Sequence, residues 1–311
     1  MSTKTIWFMG TGKFAALCLE GLIKHNIAFR RIITGLPVAK HAAGTHSSRN
    51  NKPSAVELTA SSLGLTVERT GKLSENAALL HALNDDSPAI IFVVDFGQIV
   101  REPYISRMCL NIHPSLLPEY RGAAPIQRAL LDGKDRTGVT VFRLAPAMDA
   151  GDILAQRQIP IQSGDNASDL YERLAAIGSD LAAVAVQDLG AVTFTPQDDS
   201  FATYAPKLDK AEFALTFTMS AKRFTDTVRA LDMSGGAYAE IRGKRVKIWR
   251  AIVREELSSQ LPGQVLECAG NPVISCSDFG VELVEVQAEG RNRTQGCEWA
   301  RGMRLKRGDS V

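Results

Sequence analysis

An asparagine and a histidine stand two residues apart at the end of an apolar segment, in the sequence Asn111-Ile112-His113. In an extended strand, residues i and i+2 project from the same face, so both polar side chains would point into one pocket. A carboxamide can donate a hydrogen bond to an oxygen that gains negative charge, and an imidazole can move a proton near neutral pH. The pair therefore predicts chemistry on a carbonyl group.

A third polar group follows downstream, in the segment Met148-Asp149-Ala150-Gly151-Asp152. Asp149 stands on a glycine-containing turn, so its carboxylate could reach the same pocket, orient the imidazole and stabilise its charged form. A turn-capping role is the alternative for an aspartate in such a segment. Of the two aspartates, Asp152 is the better candidate for that role.

The elements that must position these groups alternate between strands and helices. Short runs rich in Ile, Val and Phe predict strands, and amphipathic periodicity predicts helices. The predicted strands are 6–9, 31–34, 89–94, 109–113 and 139–144, and the predicted helices are 14–25, 54–63 and 74–84. This alternation predicts an α/β fold with a mainly parallel sheet. Pockets of such sheets lie beyond the carboxyl ends of the strands, and Asn111, His113 and Asp149 each end or follow a predicted strand.

The pattern changes after a long Ala- and Leu-rich helix predicted at 167–189. The residues that follow lack helical periodicity. Beyond a helix near 221–231, short strands broken by Gly and Pro predict a small, partly open β-barrel. These strands are predicted at 237–241, 246–250, 263–268, 273–276 and 280–287. We therefore predict a first domain at 1–190, a linker at 191–205 and a second domain at 206–311.

Composition excludes several classes of protein. The chain has 311 residues, of which 45% are hydrophobic and 23% charged, as is typical of a globular protein of two domains. The longest apolar stretches are too short to span a bilayer, and the polar residues 1–5 do not form a signal peptide, so we expect a cytoplasmic protein. The five cysteines form no C-x-x-C pair and have no His at metal-ligand spacing, which predicts free thiols and no metal site.

The segment Gly10-Thr11-Gly12-Lys13-Phe14-Ala15 matches the pattern G-x-G-x-x-A, which occurs in dinucleotide sites. The acidic residue that should close the second strand and bind the ribose is absent, because no Asp or Glu occurs between Glu20 and Glu57. The glycine pattern without the acidic residue is weak evidence for NAD binding. We interpret the segment as a tight turn from a strand into a helix.

Two longer motifs resemble those of one enzyme family. The run NIHPSLLPEYRGAAPIQ at 111–127 and the run MDAGDIL at 148–154 resemble the formyltransferases that use 10-formyltetrahydrofolate. The likeness covers nearly the whole chain and is greatest to the members that act on methionyl-tRNA. It extends to FMGT at 8–11, FA at 14–15, VVDFG at 93–97, YAPKL at 204–208, GAY at 236–238, KIW at 247–249, PG at 262–263 and VQAEG at 286–290.

The resemblance implies a Rossmann-like formyltransferase domain followed by an OB-like domain that binds tRNA. It places a catalytic trio on Asn111, His113 and Asp149. The implied folate-binding residues are Val93, Asp95, Phe96, Gly97, Ser115, Leu116, Leu117 and Pro118. The expected reaction is transfer of a formyl group from 10-formyltetrahydrofolate to the α-amine of methionyl initiator tRNA, for translation initiation, by a monomeric enzyme that needs no metal.

Three other functions stay open on the sequence. A sugar-nucleotide N-formyltransferase would share the N-terminal domain and the trio, and a formyltetrahydrofolate hydrolase would use the same residues to activate water. A non-enzymatic RNA-binding protein could use the barrel and a basic loop. The intact trio argues against the last of these, and the RGAAPIQ run with the basic loop favours tRNA over a sugar.

Two basic segments are candidate tRNA contacts, although a formal net charge of +2 does not by itself indicate nucleic acid. Residues 36–52 are predicted to form a long loop, and the resemblance places that loop near the acceptor stem. Residues 242–250 predict a basic hairpin that carries an aromatic residue, a surface that can follow phosphates. A hairpin with solvated charges is the alternative. The candidate contact residues are Lys40, Arg49, Lys244 and Arg245.

Overall fold

The computed structural model describes residues 4–36, 52–187, 192–259 and 261–311. The chain forms two compact units, each made of segments that are not continuous in sequence. Unit 1 comprises Met1–Gly122, Thr137–Ile159 and Tyr171–Tyr204, and unit 2 comprises Ala123–Arg136, Pro160–Leu170 and Ala205–Val311. The domain limits at 190 and 205 that we drew from the sequence stay a prediction.

The described residues contain sixteen strands and seven α-helices. The strands are β1 (Ile6–Gly10), β2 (Arg31–Gly35), β3 (Glu68–Thr70), β4 (Ile90–Val94), β5 (Cys109–His113), β6 (Arg121–Gly122), β7 (Arg136–Arg143), β8 (Ile153–Pro160), β9 (Tyr204–Ala205), β10 (Ala214–Leu215), β11 (Ala237–Ile241), β12 (Lys244–Arg254), β13 (Val265–Glu267), β14 (Val273–Ser275), β15 (Gly280–Ala288) and β16 (Thr294–Gln295). The helices are α1 (Lys13–Lys24), α2 (Ala55–Ser62), α3 (Ala77–Asp86), α4 (Pro125–Leu131), α5 (Ala167–Gln187), α6 (Ala221–Ala230) and α7 (Gly296–Met303).

A seven-stranded sheet with the order β3-β2-β1-β4-β5-β7-β8 forms the centre of unit 1. The first five strands of this order are parallel, and β7 runs antiparallel to β5. The predicted α/β fold with a mainly parallel sheet is confirmed. The order of the strands reverses between β1 and β4, and in open α/β sheets the ligand crevice lies at that point, beyond the carboxyl ends of the strands.

The two central strands are apolar along their whole length because helices cover both faces of the sheet. Every residue of β1 and of β4 is buried. Trp7, Phe8 and Phe92 have no exposed surface, and Phe8 lies opposite Phe92 in the register of these strands. This pair of strands therefore forms the buried centre of the sheet.

The turn between β1 and α1 is closely packed. A Cβ atom at Gly10 would lie 2.6 Å from the Cβ of Ala15, and one at Gly12 would lie 1.7 Å from Oδ2 of Asp95. The backbone amides of Thr11 and Gly12 both donate to the carbonyl of Asp95, at 3.1 Å. The interpretation of the glycine motif as a tight turn is confirmed, since both glycines permit contacts that a side chain would block.

Unit 2 contains a second sheet, with the order β10-β11-β12-β15-β14-β13 and β16 beside β15. Strand β10 is parallel to β11, and the other registered pairs are antiparallel. Helix α6 packs on β12 and on α4, and its Phe224 is fully buried. The predicted C-terminal β domain is confirmed.

The cysteines are all free thiols, as predicted. Burial raises the pKa of Cys109 and of Cys276 to about 12, and burial raises the pKa of Cys18 further. These thiols therefore stay protonated near neutral pH. Within the described ranges, no helix is both long and apolar enough to cross a membrane.

Replacement of Gly10 by Ala should destabilise the chain, because the new methyl group would meet the Cβ of Ala15 and the ring of Phe8 at 2.6 and 2.7 Å. Such overpacking costs about 1–3 kcal/mol of the free energy of unfolding. Gly71→Ala is the matched control, since no atom lies within 4 Å of its added Cβ. Urea unfolding of both variants measures the difference, and equal stability would contradict this account of the turn.

Candidate active site

Asn111 and His113 project from the same face of β5, as the sequence predicts. Ile112, between them, points the other way, since its Cγ2 lies 2.5 Å from where a Cβ at Gly178 of α5 would stand. The side-chain alternation of a strand then places both polar groups on the face opposite α5. The antiparallel neighbour β7 presents Phe142 beside Asn111 and Thr140 beside His113.

The imidazole of His113 is buried and held at one nitrogen. Its Nε2 lies 2.9 Å from the carbonyl oxygen of Tyr120, which can only accept, so Nε2 carries the hydrogen and donates it. The ring also meets Phe142 edge to face, with centroids 6.4 Å apart. In the neutral ring, Nδ1 is therefore the nitrogen that can accept a proton.

The carboxylate of Asp149 lies near that second nitrogen. Its Oδ2 is 3.8 Å from Nδ1 of His113, which is too far for a hydrogen bond but close enough for attraction to an imidazolium. The same oxygen accepts a hydrogen bond from the backbone amide of Gly122, at 2.8 Å. Asp149 thus supplies charge beside the ring, whereas the ring's orientation comes from the Tyr120 carbonyl and not from Asp149 as the sequence suggested.

Asp149 reaches this position by a route that the sequence did not predict. Strand β7 is antiparallel to β5, so its carboxyl end at Arg143 lies opposite Leu110, near the start of β5. We call the segment 144–151 the arch. At its start, the amide of Leu144 donates a hydrogen bond to the carbonyl of Cys109. Just beyond its end, the carbonyl of Asp152 accepts a hydrogen bond from the amide of Arg143. The tip of the arch carries Asp149 to His113. Asp149 does follow a strand, as the sequence predicts, but that strand is antiparallel to β5.

The backbone of the arch is constrained. Asp149 has φ of +52°, a left-handed conformation that costs roughly 1–2 kcal/mol for a residue with a side chain, although Asp tolerates it better than most. A Cβ at Gly151 would lie 1.8 Å from the carbonyl oxygen of Arg143, so only glycine fits there. The surrounding contacts must hold this conformation.

Asn111 offers a free carboxamide. The side chain is half-buried, and it forms no hydrogen bond with any residue in the part of the chain that the structure describes. A partly enclosed polar group without a partner is available to a ligand. The site thus combines an amide donor, a proton acceptor at Nδ1 and a carboxylate.

The loop that follows His113 is fixed by hydrogen bonds to its backbone. Thr140 donates through Oγ1 to the carbonyl of Ser115, at 2.7 Å, and accepts from the amide of Leu117, at 3.1 Å. Gln156 donates to the carbonyl of Leu117, at 2.7 Å. The side chains of Leu116 and Pro118 stay partly exposed beside this frame. The four folate-binding candidates at 115–118 therefore belong to one ordered loop adjoining His113.

The candidates at 93–97 differ in what they can offer a ligand. Val93 and Phe96 are core residues, packed around Met9 and Cys109. Gly97 is exposed, has φ of +76° and has no atom within 4 Å of where a Cβ would stand. This segment can therefore contact a folate mainly through its backbone.

Asp95 stands at the reversal point between β1 and β4. The residue as a whole is exposed, but its carboxylate lies against Gly12 and accepts from the amide of Phe14 at the start of α1. Burial of the carboxylate raises the pKa of Asp95 to about 6, and the Phe14 hydrogen bond only partly offsets this. The two carboxylate oxygens of Asp95 are enclosed although other atoms of the residue are exposed. An exposed residue can therefore have a raised pKa.

The predicted basic hairpin exists in unit 2. Strands β11 and β12 pair antiparallel around Arg242 and Gly243, both with positive φ as a tight hairpin turn requires. Lys244 and Arg245 are exposed. The guanidinium of Arg245 lies 3.9 Å from the ring centroid of Tyr238. The other two tRNA-contact candidates, Lys40 and Arg49, lie outside the described residues.

The same face continues along β12. Arg293 lies 3.5 Å from the ring centroid of Trp249, and Nζ of Lys247 lies 5.6 Å from it. Together with Arg245 and Tyr238 these residues form what we call the basic–aromatic face. A groove of about 1310 Å³ in unit 2 shares Trp249 and Arg293 with this face, and it is lined by five basic and seven acidic side chains, so its charge does not favour phosphates.

Several residues of the site carry no signal in the sequence. Tyr120 acts through its carbonyl, and Thr140 and Gln156 act on the backbone of a distant loop. Tyr120 does lie inside the motif at 111–127, but the motif does not indicate that its backbone carbonyl is the partner of His113. Among the described residues, no three His, Cys, Asp or Glu side chains are grouped as metal ligands.

Two family models match the chain. The model of the formyl transferases matches residues 3–186, and that of the formyl transferase C-terminal domain matches residues 207–304. The chain belongs to the formyl transferase family. This formyl transferase is 32% identical to the methionyl-tRNA formyltransferase of Natranaerobius thermophilus over 317 residues, which is 97% of each chain.

Other comparisons agree with this assignment. The chain is 35% identical to the methionyl-tRNA formyltransferase of Lactobacillus acidophilus, over 93% of this formyl transferase and 92% of that protein. Its fold is similar to that of the N-formyltransferase from Helicobacter canadensis in complex with folinic acid and dTDP-3-aminofucose, with a TM-score of 0.64 and 20% identity. That match covers 92% of this chain and 99% of the other.

The raised pKa of Asp95 predicts a pH-dependent stability. Because the folded-state pKa of about 6 exceeds the ordinary value of 3.8, the ionised carboxylate is disfavoured in the folded chain. The contribution of Asp95 to stability should therefore be greatest below about pH 4 and should fall as the pH rises to 6. Asp95→Asn, which cannot ionise, should therefore gain stability over wild type across that window and keep the gain above it. Urea unfolding from pH 4 to 8 tests this, and a pH-independent difference would count against it.

Proposed function

We propose that this formyl transferase moves a formyl group from 10-formyltetrahydrofolate to the α-amine of methionyl initiator tRNA. One observation carries the proposal. The free carboxamide of Asn111 and the proton-accepting Nδ1 of His113 share one face beside the Asp149 carboxylate. Relatives named for the methionyl-tRNA reaction match this chain over nearly its full length.

The residues fit the folate co-substrate, which supplies the formyl carbon. The exposed backbone at Gly97 follows β4, and the ordered loop at 115–118 follows β5, at the carboxyl ends of neighbouring parallel strands. Backbone amides and carbonyls there can pair with the polar edge of a pterin. The unpartnered carboxamide of Asn111 then remains for the formyl oxygen.

His113 moves the proton in this proposal. The amine of an aminoacyl ester is neutral often enough near neutral pH to attack a carbonyl carbon. Nδ1 accepts the proton that the attacking amine must lose, because Nε2 is committed to the Tyr120 carbonyl. The imidazolium so formed is stabilised by the Asp149 carboxylate at 3.8 Å.

Asn111 stabilises the negative charge that attack places on the formyl oxygen, by donating from its carboxamide. The bond between the formyl carbon and the amine nitrogen forms, and the bond to the folate nitrogen breaks. His113 returns its proton to that leaving nitrogen, so the proton lost by the amine is the one gained by the folate. The trio ends in its starting state.

The basic–aromatic face supports tRNA as the partner. The cations of this face lie against aromatic rings, and such cations can neutralise phosphates. Lys244 and Arg245 at its end are exposed. We propose further that the enzyme acts as a cytoplasmic monomer, because charged tRNA is used in translation and one chain supplies the whole trio.

One experiment separates the candidate reactions. The protein is incubated with 10-formyltetrahydrofolate and, in separate reactions, with charged initiator tRNA, an amino-sugar nucleotide or buffer alone. Formylated methionyl-tRNA is the expected product. A formylated sugar would support the sugar-nucleotide enzyme, and formate released in buffer at the full rate would support the hydrolase.

The variant His113→Ala should lower turnover by about 10²–10⁴-fold, which is the usual contribution of general acid–base catalysis. Asn111→Ala should lower it by about 10²–10³-fold through the lost oxyanion hydrogen bond. Both should bind charged tRNA normally. Turnover at saturating substrates decides the matter, and near-wild-type rates in either variant would refute this mechanism.

The variant Asp149→Asn keeps the shape of the side chain but removes the charge beside Nδ1. Since an imidazolium then lacks its counter-charge, the rate should fall and the His113-dependent limb of the pH–rate profile should move to lower pH. The profile is measured at saturating substrates from pH 5 to 9. An unchanged profile would mean that Asp149 is only a turn residue.

The double variant Lys244→Ala with Arg245→Ala should weaken tRNA binding and leave folate binding unchanged. Each lost phosphate contact should lower the salt slope of binding by about 0.7–0.9. Lys24→Ala with Lys72→Ala is the matched control, because it removes two exposed lysines of unit 1. Titration of charged tRNA at several salt concentrations measures the slopes, and equal slopes in wild type and both double variants would remove the hairpin from the tRNA site.

A further inference from the structure

A hydrogen-bonded network around a buried arginine in unit 1 takes no part in the mechanism above. It starts at Arg121, which is 4% exposed. Nε and Nη2 of Arg121 donate to Oε1 of Gln197, at 3.1 and 2.7 Å, and Nη2 also donates to Asp199, at 2.7 Å. Nε2 of Gln197 donates to the carbonyl oxygens of Asp149 and Gly151, at 2.9 and 2.6 Å. The network therefore links a buried cation to the backbone of the arch.

The carboxamide of Gln197 can adopt only one orientation in this network. Its two N–H donors meet two backbone carbonyls, which only accept, and its oxygen meets a guanidinium, which only donates. Exchange of nitrogen and oxygen would bring acceptor to acceptor and donor to donor. Arg121 thus fixes the side chain that holds the arch.

The two carbonyls lie on either side of Ala150, at the part of the arch whose backbone is most constrained. Asp149 has a left-handed conformation, and Gly151 leaves no space for a side chain beside Arg143. Among the described residues, the amide of Gly122 is the only group that donates a hydrogen bond to the Asp149 carboxylate itself. The separation between that carboxylate and Nδ1 of His113 therefore depends on how firmly the backbone of the arch is held.

From this geometry we propose that Gln197 is a positioning residue for formyl transfer. It holds the arch through the carbonyls of Asp149 and Gly151, and it thereby sets the distance between the Asp149 carboxylate and the His113 imidazole. It acts through Asp149 and not by contact with the substrates. The inference rests on the proposed function, because the reaction that it adjusts is the formyl transfer.

Two variants of Gln197 separate its contacts. Gln197→Glu keeps an acceptor for Arg121 but removes both donors to the arch. Gln197→Ala removes both sets of contacts without adding a charge. Asp199→Asn is the matched control, because it alters a contact of the same guanidinium on an exposed side chain that does not touch the arch.

Turnover is measured at saturating substrates across pH, for these variants alone and combined with Asp149→Asn. Both Gln197 variants should lower turnover by about 10–100-fold, as expected for a catalytic group displaced by about 1 Å. Gln197→Ala should also move the His113 limb to lower pH, in the same direction as Asp149→Asn. In the Asp149→Asn background it should cause no further loss, because no carboxylate is left to position. Asp199→Asn should match wild type.

Two outcomes would overturn the inference. Wild-type turnover in both Gln197 variants would show that the arch needs no such support. An equal loss with and without the Asp149 carboxylate would show a role in folding alone.

A readout without turnover separates this inference from the proposed function. The titration of the His113 ring is followed by NMR in the absence of substrates. A midpoint that moves to lower pH in both Gln197→Ala and Asp149→Asn supports positioning, even where the wild type formylates no acceptor and the proposed function fails. An unmoved midpoint in Gln197→Ala overturns the inference, whatever reaction the enzyme catalyses.

Discussion

The hydrogen bond from Nε2 of His113 to the carbonyl of Tyr120 determines what the site of unit 1 can do. A backbone carbonyl cannot donate, so the bond assigns the hydrogen to Nε2 and leaves the lone pair on Nδ1. The same bond turns Nδ1 toward Asp149. Without it, the ring would carry no preference for the nitrogen that faces the carboxylate, and Asn111 and Asp149 would flank a base of undefined tautomer.

Much of the fold follows from local patterns because the central strands are uniformly apolar. The strands β1, β4 and β5 and the helix α1 lie within one residue of their predicted limits. The strand β8 was missed, because its middle residues Gln156, Arg157 and Gln158 are polar and mostly exposed. The helix α4 was missed because it has only seven residues, too few for a helical period to emerge from the pattern.

The candidate site could be predicted as a set of residue types but not as a geometry. Spacing alone places Asn111 and His113 on one face of a strand, because the side-chain period of a strand is two. The approach of Asp149 depends on an antiparallel strand and an arch, and neither has a local sequence signal. The contacts of Arg121 and Gln197 join positions 76 residues apart, which no spacing rule connects.

Unit 1 holds the groups whose geometry must be fixed, and unit 2 holds the cationic groups that would meet phosphates. The groups that must hold a defined geometry lie on buried strands or on an arch bound by several hydrogen bonds, where each displacement has a cost. The groups that would meet phosphates lie on the basic–aromatic face, where long cationic side chains rest on aromatic rings and need no single geometry. A charge attracts a phosphate over several ångströms, whereas proton transfer requires hydrogen-bond contact. The site of unit 1 therefore needs a fixed geometry, whereas the cations of the basic–aromatic face need only to lie within range of the phosphates.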